Sequence, residues 1–158
     1  MRNFQPDARC EEHNLVVEFD GLDHYETLKG VYMDKARDEW YGSLEYHVVH
    51  IPYWMPTGPS ELSYLFGAHV SEGCELKLGI FGSPDSTYLK HGFGIGNSPA
   101  TFCEQGALRF AEEFQRLPYE TREMVMDDLD LVAESNFYGL DALPSCIASL
   151  RAWQRVHC

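Results

Sequence analysis

The stretch 97–118, NSPATFCEQGALRFAEEFQRLP, marks the point where the chain changes from strand-like to helical patterns. Its apolar residues recur at intervals of four and three, which is the spacing of one helix face. These residues are Cys103, Ala107, Phe110, Phe114 and Leu117. Pro99, at a tolerated first-turn position, and a capping-box spacing between Thr101 and Glu104 predict the start of this helix, and Pro118 predicts its end.

Patterns on either side of this stretch are of two kinds. Before it, residues 14–20, 44–51, 75–81 and 87–95 favour strands, the last two as a hairpin. After it, residues 120–135 and 141–156 favour helices. Residues 22–40 leave two alternatives open, a strand near 29–33 or a short helix, because Gly30 interrupts an irregular apolar pattern.

A run of strands followed by a run of helices predicts the α+β class. We expect a mostly antiparallel sheet from the N-terminal two-thirds, packed with three C-terminal helices. The length of 158 residues suits a single domain over 1–158, strand-rich over 14–96 and helical over 98–157.

The charge balance is strongly acidic, with 25 Asp and Glu against 12 Lys and Arg and a formal net charge of -13. Direct binding to nucleic acid or to an anionic membrane is disfavoured, because both need an excess of basic groups. The five cysteines are odd in number and widely spaced, and residues 1–10 lack an apolar leader. These features predict reduced thiols and a cytoplasmic location, in the host cell if the chain is phage- or plasmid-borne.

Residues 120–134 place a row of carboxylates on one face of the predicted helix, at intervals of three and four. We name this row the acidic stripe; its members are Glu120, Glu123, Asp127, Asp130 and Glu134. Neighbouring like charges on a helix cost about 0.2–0.5 kcal/mol for each pair, so a partner rich in Lys or Arg would relieve the strain. The alternative is that the stripe is simply the solvated face of an acidic protein.

Four further residues are candidates for the same binding surface. Glu112 and Glu113 on the preceding helix add acidic groups if they face the same way. Tyr53 and Trp54 lie in a loop with three prolines, where aromatic residues are common interface anchors. The alternative for Trp54 is that it folds back to cover the sheet.

No pattern predicts a catalytic residue, a metal ligand or a cofactor. His47 and His50 lie on opposite faces of one predicted strand, so they cannot easily bind the same metal. Cys10 and His13 are close enough to bind zinc, but no second ligand pair follows at the spacing of a zinc site. Cys103 falls on an apolar helix face, which is typical of a buried, inert thiol. The glycines of residues 92–96 match no phosphate-binding motif.

We therefore expect an acidic inhibitor that occludes a basic, nucleic-acid-handling protein, of the anti-restriction, anti-CRISPR or toxin-immunity type. The carboxylates would block a Lys/Arg groove in that partner. The alternative is a small cytosolic enzyme with a cleft of His, Cys and carboxylate groups. The sequence favours the inhibitor over the enzyme, because no catalytic motif contains those groups.

Overall fold

The computed structural model describes residues 4–56, 59–67, 99–134 and 143–157, with the side chains of 59, 60, 62 and 132–134 excepted. The strand predictions at 75–81 and 87–95 lie outside these residues. The single-domain prediction and its boundaries stay a prediction.

The described residues contain a three-stranded sheet in the order β1-β2-β3. Strand β1 is Ala8–Cys10, β2 is Leu15–Asp20 and β3 is His47–Pro52. Strand β1 pairs with β2 in antiparallel fashion over three residues, whereas β2 and β3 run parallel over six. The strands predicted at 14–20 and 44–51 are confirmed, but the expectation of a mostly antiparallel sheet over two-thirds of the chain is wrong.

The parallel pairing follows from the segment between β2 and β3, which is helical. Helix α1 is Asp23–Glu26 and helix α2 is Leu28–Ser43. Such a crossover returns the chain to the same end of the sheet, so the next strand enters parallel to the first. The alternative of a strand at 29–33 is therefore wrong.

Gly30, which made that segment ambiguous, is required by close packing. A Cβ there would lie 2.3 Å from the Asp23 backbone oxygen. The Thr27 hydroxyl caps α2 by accepting from the Gly30 amide at 3.0 Å. The glycine thus allows α1 and α2 to meet at a tight corner.

The remaining described helices follow in chain order. Helix α3 is Pro59–Phe66, α4 is Glu104–Arg116, α5 is Tyr119–Glu134, α6 is Ser145–Ala148 and α7 is Leu150–Val156. Helices near 103–117 and 120–135 are confirmed, while the predicted third helix is divided into α6 and α7. The predicted capping box is wrong, because Cys103 caps α4 and Pro99–Thr101 forms a separate 3-10 turn.

The hydrophobic core lies between one face of the sheet and helix α4. Trp54 is fully buried and meets Phe110 edge to face, with ring centroids 4.6 Å apart. Tyr25, in α1, stacks on Phe102 at 5.1 Å. Val125 and Leu129 of α5 are also buried in the core. Among the described helices, none has the length and apolar character needed to cross a bilayer.

Candidate functional site

Strand β2 has one apolar face and one charged face. Val17 and Phe19 pack against the hydrophobic core, whereas Glu18 and Asp20 point to the other side of the sheet. Glu18 is 2% exposed and Asp20 is 1% exposed. Two carboxylates this deeply buried need partners, because an unpaired buried charge is strongly destabilising.

The neighbouring strand β3 and the helices α2 and α4 supply partners for these carboxylates. On β3, His50 stands beside Glu18 in the parallel register and shares its face. Helix α2 presents Asp34, Arg37 and Asp38, which are three and four residues apart and lie on one side. Helix α4 presents Arg109 and, one turn later, Glu113, whose side chains form an ion pair at 2.7 Å.

These groups form a network of ion pairs and hydrogen bonds, which we call the charged cluster. It comprises Glu18, Asp20, His24, Asp34, Arg37, Asp38, His50, Arg109 and Glu113. Five carboxylates thus share two guanidinium groups and two imidazoles. When both imidazoles are protonated, the five carboxylates face four positive groups, so the charges of the cluster are nearly balanced.

Asp20 is the centre of the charged cluster. Its Oδ2 accepts from Arg109 and lies 2.8 Å from His50 Nδ1. Its Oδ1 has no hydrogen-bond partner among the described residues, although His24 Nδ1 lies 3.4 Å away. Glu18 resembles it in this respect: Oε2 accepts from Arg37 at 2.5 Å, while Oε1 has no partner in the described part of the chain.

Asp34 forms the second centre. Its Oδ2 lies 2.7 Å from His24 Nδ1 and 2.6 Å from Arg109 Nη1. Arg109 therefore spans the two aspartates with separate nitrogens. Its Nε reaches Glu113 at 2.7 Å and its guanidinium lies over the Tyr25 ring, 4.8 Å from the centroid. The Tyr25 hydroxyl donates to the other oxygen of Glu113 at 2.7 Å.

The surroundings of His50, His24 and Glu18 raise the pKa values of all three groups. Burial lowers the pKa of His50, but hydrogen bonds to Asp20 and Asp38 outweigh it and raise that pKa to about 10. A hydrogen bond to Asp34 raises the pKa of His24. Burial raises the pKa of Glu18 and outweighs the opposing effect of Arg37. In this arrangement His50 is a protonated, hydrogen-bond-donating group at neutral pH.

Three members of the charged cluster lie close enough together to hold a metal ion. Asp20, His24 and Asp34 each offer one ligand atom, and these atoms lie within 4.8 Å of one another. Carboxylate oxygens with one imidazole nitrogen are a donor set that Mn²⁺ and Zn²⁺ accept, and Mg²⁺ in part. The imidazole binds a metal only when neutral, so binding would release the proton that Asp34 now favours.

An open cleft of about 390 Å³ reaches the charged cluster from outside. It is lined from α2 by Asp34, Lys35 and Asp38, and from the other side by His50 and by α4 residues that include Arg109 and Arg116. Basic and acidic groups therefore meet at its floor. A small polar molecule can reach Asp34 from this side, whereas Asp20 and Glu18 are not part of the cleft lining.

The acidic stripe lies on α5, but its members differ in their surroundings. Glu120, Glu123 and Asp127 are exposed. Glu123 accepts from Gln154, and Asp130 is paired with Arg151. The Glu134 side chain lies outside the described residues. The stripe as a partner-binding surface stays a prediction.

The other four predicted surface residues are divided between surface and interior. Glu112 is exposed on α4, whereas Glu113 turns into the charged cluster. Trp54 is fully buried and Tyr53 is half-buried in contact with Tyr25. The structure therefore favours the alternative in which Trp54 covers the sheet.

Sequence reasoning missed the charged cluster as a site. One signal was available: Glu18 and Asp20 are charged residues two apart in a strand that is otherwise apolar, so both had to enter one face. The meeting of that face with Arg109, 89 residues further on, depends on the tertiary fold.

Comparison of the chain with protein-family models, with curated protein sequences and with solved structures finds no match.

Proposed function

We propose that this chain is a metal-dependent hydrolase and that the charged cluster is its active site. The observation that carries the proposal is the set of ligand atoms from Asp20, His24 and Asp34, all within 4.8 Å of one another. The set joins a buried strand end to two helices, so its geometry is fixed by the core rather than by surface side chains.

A second observation supports a cation at this place. Asp20 Oδ1 is buried and has no hydrogen-bond partner among the described residues. A buried carboxylate oxygen without a partner costs about 1–3 kcal/mol or more. A divalent ion would satisfy it, and Glu18 Oε1 on the same strand face is a further acceptor in the same state.

The cleft favours catalysis over a purely structural metal. A structural ion is closed off by protein ligands, whereas a catalytic ion keeps an open side for water and substrate. Here the cleft reaches Asp34, His50 and Arg109. When bound, a divalent ion would lower the pKa of a water molecule and polarise the bond under attack.

The basic residues at the cleft indicate an anionic substrate, of which a phosphoester is the chemical class that best suits this set. Lys35 and Arg116 line the cleft beside Arg109. His50 also lines the cleft, but Asp20 and Asp38 engage both of its ring nitrogens, at 2.8 Å and 3.0 Å.

The experiment is a measurement of Mn²⁺ affinity by electron paramagnetic resonance, followed by Mn²⁺-dependent hydrolysis of bis(p-nitrophenyl) phosphate. Asp34→Asn and His24→Gln should weaken Mn²⁺ binding about tenfold or more and abolish hydrolysis. His13→Gln, at an exposed histidine outside the cluster, is the matched control. Absence of Mn²⁺ binding, or binding that Asp34→Asn leaves intact, would refute the proposal.

A second candidate function is the acidic inhibitor expected from the sequence. The observation that favours it is the exposure of Glu120, Glu123 and Asp127 along α5. We propose as its test the double variant Glu120→Lys and Asp127→Lys, which should abolish capture of a basic, nucleic-acid-handling partner from the native host. Unchanged capture would exclude the acidic stripe as the contact, and neither substitution touches the charged cluster.

A further inference from the structure

Arg109 makes an unusual set of contacts for an active-site arginine, because it binds the same two aspartates that the proposed metal needs. Its Nη2 donates to Asp20 Oδ2 and its Nη1 donates to Asp34 Oδ2 at 2.6 Å. The Arg109 side chain is only 16% exposed. The guanidinium group thus neutralises the carboxylate pair from inside the site.

We infer that Arg109 and a divalent cation are alternative occupants of the Asp20–Asp34 pair, so that metal binding drives the guanidinium group off the aspartates and toward the cleft. The inference rests on the proposed function and adds a regulatory step to that site. Arg109 would then be the residue that holds the anionic group of the substrate, and only in the metal-loaded protein.

Charge repulsion favours exchange between Arg109 and the divalent ion over binding of both at the same time. The ligand atoms of Asp20, His24 and Asp34 lie within 4.8 Å of one another, and Arg109 nitrogens already contact both aspartates. An ion placed among those ligands would lie a few ångströms from a positive guanidinium in a poorly hydrated site. Like charges at about 4 Å repel strongly there, because the effective dielectric constant is far below that of water.

The structure also provides a place for the released side chain. Arg109 Nε is held by Glu113 Oε1 at 2.7 Å, one turn later on the same helix. The Tyr25 ring supports the guanidinium face at 4.8 Å, and Tyr25 in turn fixes Glu113 through its hydroxyl. With Nε retained, rotation of the side chain frees both Nη groups for the cleft that Arg109 already lines.

The test compares Mn²⁺ affinity in the wild type, Arg109→Gln and Asp34→Asn, with Arg155→Gln as a control that removes one positive charge from an exposed site. If the two cations compete, Arg109→Gln should bind Mn²⁺ about tenfold more tightly or better, within the usual range of coupled binding events. Arg155→Gln should stay within about twofold of wild type, because remote surface charges are screened by salt.

The opposite result identifies a different role for Arg109. Unchanged or weaker Mn²⁺ binding in Arg109→Gln, with binding still dependent on Asp34, would overturn the exchange and leave the metal site standing. If neither the wild type nor Arg109→Gln binds Mn²⁺ in a way that requires Asp34, the proposed function and this inference are both overturned.

A second variant covers the case in which Arg109→Gln does not fold. Arg109→Lys keeps the charge, but one ammonium group cannot bridge two carboxylates as the guanidinium does. It should bind Mn²⁺ about threefold more tightly than wild type. Affinity equal to that of the wild type would overturn the exchange.

Discussion

Helix α4 packs closely against helix α1 because Gly106 has no side chain. A Cβ at this position would lie 1.8 Å from the Tyr25 backbone oxygen and 2.5 Å from its carbonyl carbon. The same Tyr25 oxygen accepts from the Cys103 amide at 3.1 Å, at the N-cap of α4. Gly106→Ala should therefore force the first turn of α4 away from α1.

The size of the effect can be worked from these distances. Side-chain Cβ atoms essentially never approach within 3.0 Å of such neighbours, so the backbone must retreat by about 1.2 Å or more. Overpacking of this kind costs about 1–3 kcal/mol, and loss of the Cys103 hydrogen bond adds about 1 kcal/mol. Alanine regains up to about 1 kcal/mol of helix propensity. The expected net loss of unfolding free energy is about 1–4 kcal/mol.

Urea denaturation followed by far-ultraviolet circular dichroism measures this loss. At a slope of about 2 kcal/mol per molar urea, the Gly106→Ala midpoint should fall by about 0.5–2 M. The matched control is Gly42→Ala near the end of α2, where an added Cβ meets nothing within 4 Å. That variant should be as stable as the wild type or up to about 1 kcal/mol more stable. A Gly106→Ala protein as stable as the control would refute the close approach of α4 to Tyr25.

Three further predictions concern buried side chains. Trp54→Ala should lower the unfolding free energy by about 3–5 kcal/mol in urea, and a loss below about 1 kcal/mol would contradict its complete burial. Tyr25→Phe should cost about 1–2 kcal/mol in the same assay, because Glu113 loses a donor; no loss would contradict that hydrogen bond. Since its protonated form is favoured in the fold, His50 stabilises the metal-free protein fully below its unfolded pKa near 6.5, and this contribution disappears as pH rises through about 10. The stability difference between wild type and His50→Gln in EDTA should therefore shrink by about 1.4 kcal/mol per pH unit across this range, and a constant difference would contradict the shift.

Local patterns predicted the elements of this fold better than their arrangement. The 4-3-4-3 apolar spacing ending at Leu117 gave α4, since a regular amphipathic face is a direct readout of helix periodicity. The segment around Gly30 stayed ambiguous between strand and helix, because the glycine is needed for the contact with Asp23, which the apolar pattern does not record. Because the helix remained only one of two alternatives, the parallel pairing of β2 and β3 was not predicted.

The site was less predictable because its members are distant in sequence. Glu18 and Asp20 carried a readable signal, as charged residues on a buried strand. Arg109 and Glu113 carried a weaker one, since a charged pair at this helical spacing is ordinarily a surface feature. Only the packing of α4 against α1 shows that Glu113 points inward while its neighbour Glu112 remains outside.

The bond between Arg109 and Asp20 joins positions 89 residues apart, and this separation bears on how the protein opens. Helix α4 cannot leave the sheet without removing the Arg109 guanidinium group from Asp20 and Asp34. Local fluctuations of α4 and of the β2 end should therefore be one cooperative event rather than two. Backbone amides at both ends of this bond should share a single opening free energy in hydrogen exchange, and this free energy should rise at both ends when the aspartates are held more tightly.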